Sequence, residues 1–215
     1  MEEFLKAAKS VVSDDEPIVI VNLGSRDGNE DVTFAQNFPK ARIISFEPNP
    51  ATYQTVLDTT RNHPSITPCN LAATDREGTI DFYQNTTGNH GASSIFPKSG
   101  LYDYIESYNQ TKIQVQSVRL DGFLPTIGVT KVDLLWADIQ GSELAAFRGM
   151  GDLFNGVRCL NTEIEYKPMY SGQPLYEDIK AFMDSKGLVE IEKTCRYDGF
   201  WGDAIFLREE AKLHQ

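Results

Sequence analysis

The sequence predicts an α/β fold on a largely parallel sheet, and three observations carry that prediction. Short apolar runs alternate along the chain with segments of helical spacing. The first run, residues 18–23, ends in the glycine turn Gly24-Ser25-Arg26-Asp27-Gly28. The second, 41–46, ends in Glu47-Pro48-Asn49-Pro50, which places a carboxylate just past a buried strand.

The elements follow in order. Residues 1–9 form a mildly amphipathic helix within an N-terminal extension, 1–16, that lacks the apolar core of a signal peptide. A short helix joins the first two strands. Residues 51–62 are helical in spacing through Tyr53, Val56 and Leu57, and 65–73 fit a third strand. Asp75-Arg76-Glu77-Gly78 then turns the chain into 79–83, read as the return arm of a hairpin. Residues 84–110 are polar, glycine-bearing and aromatic without a clean period, the mark of a functional loop. An alternating strand is expected over 112–120, a buried strand over 132–137 ending at Asp138, and a helix over 142–150. Another strand (159–166), a helix (175–186) capped by Gly187 and a closing antiparallel pair (189–193 with 204–207) complete one domain, 1–215.

Composition narrows the function. A net charge of −11 argues against a nucleic-acid partner, because phosphate binding needs clustered Lys and Arg. Cys69, Cys159 and Cys195 are odd in number and have no C-x-x-C spacing, so a reducing compartment is expected. No stretch approaches the length of a membrane-spanning helix. The reading is a soluble, cytoplasmic protein with no membrane partner; its oligomeric state is not legible.

A glycine turn after one strand and a carboxylate after the next suit an adenosine-containing ligand, since glycines admit the ligand and the acid accepts from vicinal ribose hydroxyls. Glu47 follows Gly24 and Gly28 by 23 and 19 residues, near the expected separation of about 20. The pattern is neither G-x-G-x-x-G nor a phosphate loop, so a ligand without pyrophosphate, such as S-adenosylmethionine, fits better.

Six blocks in order carry a resemblance: Asn22-Leu23-Gly24-Ser25-Arg26-Asp27-Gly28, Phe46-Glu47-Pro48-Asn49-Pro50, Ala72-Ala73-Thr74-Asp75-Arg76-Glu77-Gly78, Arg119-Leu120-Asp121, residues 133–144 from Asp133 to Leu144, and Thr162-Glu163-Ile164-Glu165-Tyr166. Together they resemble the FkbM family of S-adenosylmethionine-dependent methyltransferases over about 18–207. The resemblance implies a Rossmann-like class I methyltransferase sheet of seven strands, the last antiparallel, with helices on both faces and the cofactor at the carboxyl ends. Asn22 stands where the family often has Asp, and Trp136 where it often has Lys; core packing is the reading preferred for Trp136.

Candidate residues follow from both lines of reasoning. Gly24, Ser25 and Gly28 shape the first turn, where helix N-terminal N–H groups meet a carboxylate; Arg26 either adds charge there or is solvated. Glu47 and Pro48 face the ribose, Asn22 orients the loop, and the resemblance puts Asn70 and Ala72 beside the adenine. Asp138, at a strand end, is read as base, acceptor anchor or metal ligand, or else as the cap of the helix starting near Ser142. Glu163 and Glu165 share one face of a strand and need partners if that face is buried; Glu163 is taken as a catalytic candidate, Glu165 and Tyr166 as acceptor contacts. Asp203 is expected near the same pocket. His90 has a side chain suited to general base work, or is simply solvated. Ser93 and Ser94 match a small-residue element of the family and either bond a ligand or form a turn. Phe96, Tyr102, Tyr104 and Tyr108 make 84–110 a lid or acceptor surface, or anchor it to the body. Asp138, Glu163 and Asp203 would suit a hard cation, yet no dense metal motif exists and no metal ligand is assigned.

The expected function is O-methylation of a hydroxyl on a sugar or natural-product-like small molecule. The alternatives are a nicotinamide-dependent oxidoreductase and a non-catalytic cofactor-binding protein of the same fold.

Overall fold

A computed structural model describes residues 1–87, 89–101, 109–196 and 199–211. The strands that frame the site are β1 (Val19–Leu23), β2 (Arg42–Phe46), β3 (Ile66–Cys69), β4 (Ala72–Ala73), β5 (Gly78–Asn85), β6 (Gln110–Val118), β7 (Leu134–Ala137), β8 (Cys159–Glu165), β9 (Leu188–Lys193) and β10 (Trp201–Arg208). The helices are α1 (Glu2–Lys9), α2 (Asn29–Asn37), α3 (Pro50–Thr60), α4 (Leu120–Thr126), α5 (Glu143–Gly149) and α6 (Tyr176–Ser185).

Seven strands pair in the order β3-β2-β1-β7-β8-β10-β9, and only β10 runs antiparallel to its neighbours. This is the expected class I methyltransferase sheet. The chain leaves β1 outward toward β2 and β3, then returns to pair β7 on the other side of β1. That reversal leaves a crevice beyond the carboxyl ends of β1 and β7, where open α/β sheets bind ligands.

One face of the sheet packs Leu120 and Leu124 of α4, Leu144 and Phe147 of α5 and Met183 of α6 against Val21, Leu135 and Leu160. The other packs Phe4 and Ala8 of α1 and Phe34 of α2 against Ile20, Ile43 and Leu134. Trp136 stands edge-on to Phe4, 5.3 Å between ring centroids, and tilted against Phe34 at 5.9 Å. It packs there as its place within a strand leads one to expect, and it also borders the cavity beyond the strand ends. The N-terminal extension is tied to the sheet, since Arg158 donates to the Val11 carbonyl (2.9 Å) and bridges Glu16 (2.8 Å) and Asp133 (3.0 Å) at the amino ends of the strands.

Three expectations change. The third strand is two: Asn70 donates its amide to the Glu47 and Pro48 carbonyls (2.8 and 3.1 Å), which ends β3 at Cys69, and β4 joins a second sheet of order β4-β6-β5. The run after Gly78 is not the return arm of a local hairpin. It pairs antiparallel with β6 across the long loop, Gly78 opposite Ser117 and Asn85 opposite Gln110. Finally, the segment after β6 contains α4, whose internal Pro125 conceals it from propensity. Among the described residues no helix is long and apolar enough to cross a membrane.

The turns after β1 and β7 touch. Gly24 has φ +88°, and a Cβ placed there would lie 1.9 Å from the Asp138 carbonyl oxygen. Gly24→Ala should therefore destabilise the protein by on the order of 3 kcal/mol in denaturant unfolding. Gly100→Ala, where a Cβ meets no atom within 4 Å, should stay within about 0.5 kcal/mol of the parent.

Candidate functional site

Beyond the carboxyl ends of β1, β2, β7 and β8 lies a cavity of about 320 Å³. One end is built by the first turn and Glu47. The Glu47 carboxylate is 7% exposed and accepts two backbone N–H groups, from Arg26 on Oε2 (2.8 Å) and Asn49 on Oε1 (2.9 Å). These bonds leave part of a carboxylate's acceptor capacity open toward the cavity. Burial raises its pKa, and bonding to Asn49, Thr52 and Arg26 opposes that rise. Arg26 reaches this geometry with φ +52°, a conformation uncommon outside glycine. Leu71, Ala72, Ala73 and Phe82 give the same end an apolar wall.

The turn itself is held from behind by Asp31 of α2, fully buried. Its carboxylate accepts from the Asn22 amide (2.8 Å), the Ser45 hydroxyl (2.7 Å) and the Ser25 hydroxyl. Burial raises the Asp31 pKa, and those three donors work against it.

The other end is acidic. Asp138, Glu163 and Glu165 line it together with Gln140, Tyr170 and Trp201. Gln140, at φ +55°, donates its amide to Asp138 Oδ1 (2.7 Å) and to Glu163 Oε2 (2.5 Å). Its side-chain oxygen accepts from the Tyr170 hydroxyl (2.7 Å), and its carbonyl accepts from Ser94 Oγ (2.7 Å). Burial raises the pKa of Asp138, although its surface is open to the cavity. Glu163 and Glu165 are pushed well above the carboxylate range, first by burial and then by repulsion among Asp138, Glu143 and each other.

A 3₁₀ turn, His90–Ala92, roofs the cavity. His90 Nδ1 lies 2.9 Å from the Asn85 carbonyl. A carbonyl only accepts, so that network assigns the ring proton to Nδ1 and leaves Nε2 a lone pair in the neutral ring. Ser93 Oγ donates to the His90 carbonyl (2.8 Å) and accepts from the Asn85 N–H (2.9 Å), which fixes the turn. The chain beyond it is pinned to the loop after β8 through Ser99 N–H on Met169 O and Ser171 N–H on Pro97 O, both 2.8 Å. Phe96 packs with Ala92, Met169 and Tyr170 and so anchors the loop to the body. Tyr102, Tyr104 and Tyr108 lie outside the described residues.

Of the residues singled out in sequence, Gly24, Arg26, Glu47, Pro48, Ala72, His90, Ser93, Asp138, Glu163 and Glu165 stand in the cavity wall. The others do not. Asn22 and Ser25 bind Asp31 instead. Gly28 caps α2 at φ +80° and packs on Thr59 and Thr60. Asn70 closes β3, and Ser94 serves Gln140. Asp203 pairs with Arg196 at 2.9 Å. Tyr166 points to the opposite face from Glu165, as alternation along a strand requires, where it meets Tyr176 at 5.5 Å and donates to the Thr194 carbonyl. Sequence reasoning missed Gln140, Tyr170, Trp201, Asp31 and Glu143. For Gln140 the Gln140-Gly141 pair after a buried strand was a turn signal; for Tyr170, in a loop, there was none.

Asp138 does not cap α5, since no side-chain bond caps that helix. Its first turn is served by Glu143, which is 2% exposed and accepts from the Ile139 N–H at 2.8 Å. Among the described residues no group of three or more His, Cys, Asp or Glu is arranged to hold a metal ion. The Glu143 pKa is pushed up from 4.5 to about 8, chiefly by burial. Between those values the folded chain keeps a proton that the unfolded chain has lost, so stability falls as pH rises. Glu143→Gln should flatten this fall, by roughly 2–4 kcal/mol between pH 5 and 8 in urea unfolding.

Residues 20–190 match the methyltransferase FkbM domain. The chain is 30% identical over 161 residues to the 2-O-methyltransferase NoeI of Sinorhizobium fredii, covering 72% of this chain and 66% of the relative. It is 21% identical over 162 residues to the hexuronic acid methyltransferase AglP of Haloferax volcanii, covering 75% of this chain and 61% of the relative. The chain thus spans just under two thirds of the length of these relatives. Among solved structures, Aeropyrum pernix fibrillarin with natively bound S-adenosyl-L-methionine superposes with a TM-score of 0.54 at 17% identity, covering 96% of this chain and 73% of that one. The match over residues 20–190 covers most of the chain, and the chain belongs to the FkbM methyltransferase domain family.

Proposed function

We propose that this chain is an O-methyltransferase domain that takes a methyl group from S-adenosylmethionine to a hydroxyl of a sugar-like small molecule. The observation that carries the reading is Glu47, a buried carboxylate that lines the crevice with acceptor capacity to spare, beside a glycine turn and an apolar wall. That combination suits a ribose with its attached base. The bound donor would supply an electrophilic methyl on a cationic sulfur.

The chain's residues would do the rest. Glu47 receives the ribose hydroxyls, while Leu71, Ala72 and Phe82 shield the base from water. Holding the acceptor oxygen in line with the methyl contributes on the order of 7–11 kcal/mol to lowering the barrier. Asp138 or the Nε2 lone pair of His90 takes the acceptor's proton, worth typically about 10²–10⁴-fold. Trp201 and Met169 bound the acceptor end and offer apolar faces to a sugar ring. The turn at 89–93 acts as the cover, within the lid expected over 84–110. The hexuronic acid named for one relative and the 2-O position named for another support a sugar-like acceptor. The acidic cavity and the net charge of −11 favour a small molecule over nucleic acid.

Calorimetric titration with S-adenosylmethionine, S-adenosylhomocysteine and NAD tests the cofactor. Micromolar binding of the two sulfur ligands alone is expected, with Glu47→Ala weakening both at least about tenfold through lost ribose bonds. Preference for NAD would sink the reading in favour of an oxidoreductase.

A further inference from the structure

Asp138 and Glu163 come from adjacent strand ends and meet on one nitrogen. Gln140 Nε2 carries two hydrogens and gives one to each carboxyl group, at 2.7 and 2.5 Å. Turning the amide over would set its oxygen against both carboxyl groups and forfeit the bond it accepts from the Tyr170 hydroxyl. It cannot withdraw either, because Ser94 holds its carbonyl and its backbone sits at φ +55°. The two accepting oxygens, Asp138 Oδ1 and Glu163 Oε2, therefore lie no farther apart than those two bonds laid end to end. Like charges held at such a distance do not both ionise readily, so the pair favours a single shared proton.

The neighbours reinforce this. Glu143 of α5, Glu165 of β8, Asp203 of β10 and Glu30 of α2 all add negative potential, and Arg26 of the first turn opposes it. Arg196, at the same wall, is engaged by Asp203, and His90 faces the cavity from the roof. A cation entering the cavity would change the balance, since an opposite charge within about 4–6 Å favours the ionised carboxylate.

We propose that the Asp138–Glu163 pair holds one proton in the free protein and releases it to solvent when a cationic methyl donor binds, so that the base is armed only with the donor in place. The inference rests on the methyltransferase reading above. Its proton balance closes. Donor entry takes the pair from one negative charge to two. As the acceptor oxygen bonds the methyl carbon, the carbon–sulfur electrons stay on sulfur, which becomes neutral, and the acceptor's proton goes to the pair. The pair ends as it began, and the proton released at binding is the net proton of the reaction.

The test needs no acceptor. Binding heats for S-adenosylmethionine and S-adenosylhomocysteine are measured near neutral pH in buffers of contrasting ionisation enthalpy, which yields protons released per ligand bound. S-adenosylmethionine, which carries the sulfonium charge, should release roughly 0.5–1 proton more than the neutral thioether. Glu163→Gln should abolish the difference, whereas His90→Gln should keep it. Should Glu163→Gln fail to fold, Tyr170→Phe, which frees the amide, should reduce the difference instead. Equal proton counts in the parent protein overturn the inference while leaving the cofactor assignment intact. A difference that survives Glu163→Gln, or vanishes in His90→Gln, assigns the proton elsewhere and overturns it too. Binding of neither ligand removes the methyltransferase reading itself and this inference with it.

Discussion

Four carboxyl groups share one wall of this protein, and a carboxylate taken from water without a partner is among the most expensive things a fold can bury. Burial is the first cause that raises the pKa of Asp138, Glu143, Glu163 and Glu165, and the charge of Asp138 raises the other three further. The surrounding chain is organised around that problem. Gln140 takes a left-handed backbone to bring one amide to two of the acids, and Glu143 takes a backbone N–H that the turn would otherwise leave open. Tyr170 and Ser94, from distant loops, exist in this arrangement to hold Gln140. Because both loops converge on Gln140, the roof over the cavity and the floor beneath it are a single hydrogen-bonded unit.

The opposite end answers a different requirement, close approach of backbone. Gly24 lets the first turn press against the Asp138 carbonyl, and the N–H groups of Gly24 and Ser25 both donate to the Phe46 carbonyl. That locks the turn to β2 and sets Glu47 directly across from Arg26. The acid then serves as a bracket between two turns before it meets any ligand, which is why its place after the second strand is so constrained. The two ends communicate through the same contact, since Asp138 supplies both the carbonyl against Gly24 and the carboxylate against Gln140.

This division explains what was legible in the sequence. Elements whose own residues satisfy them were readable: β1, β2, β7 and β8 as apolar runs, α6 with Gly187 beyond it, and the antiparallel last strand through the resemblance. The Gly24–Glu47 half of the site was readable for the same reason, because its parts lie on neighbouring strands at a fixed spacing. What failed depended on partners far along the chain. Nothing near Gly78 announces that β5 pairs with β6 some 30 residues away, and nothing near Tyr170 announces Gln140. Tyr166 and Glu165 are sequence neighbours, yet the strand's alternation sends them to opposite faces, so a rim placement for both could not hold.

The departure at Asn22 belongs to the same logic. An acid is frequent at this position in the family that the chain resembles, and here the acid has an amide instead. In this protein the space beside residue 22 is already taken by the Asp31 carboxylate, 2.8 Å from the Asn22 amide nitrogen and bound also by Ser25 and Ser45. A second carboxylate at 22 would face the first in a buried site, and one of the two would have to keep a proton. Asn22 replaces that repulsion with a donated hydrogen bond. The substitution therefore does not strip the first turn of negative charge; it leaves the charge on α2, behind the turn rather than within β1. Asn22, Ser25 and Ser45 are thus one set of donors chosen for one acceptor, and the turn that carries Gly24 and Arg26 inherits its position from them.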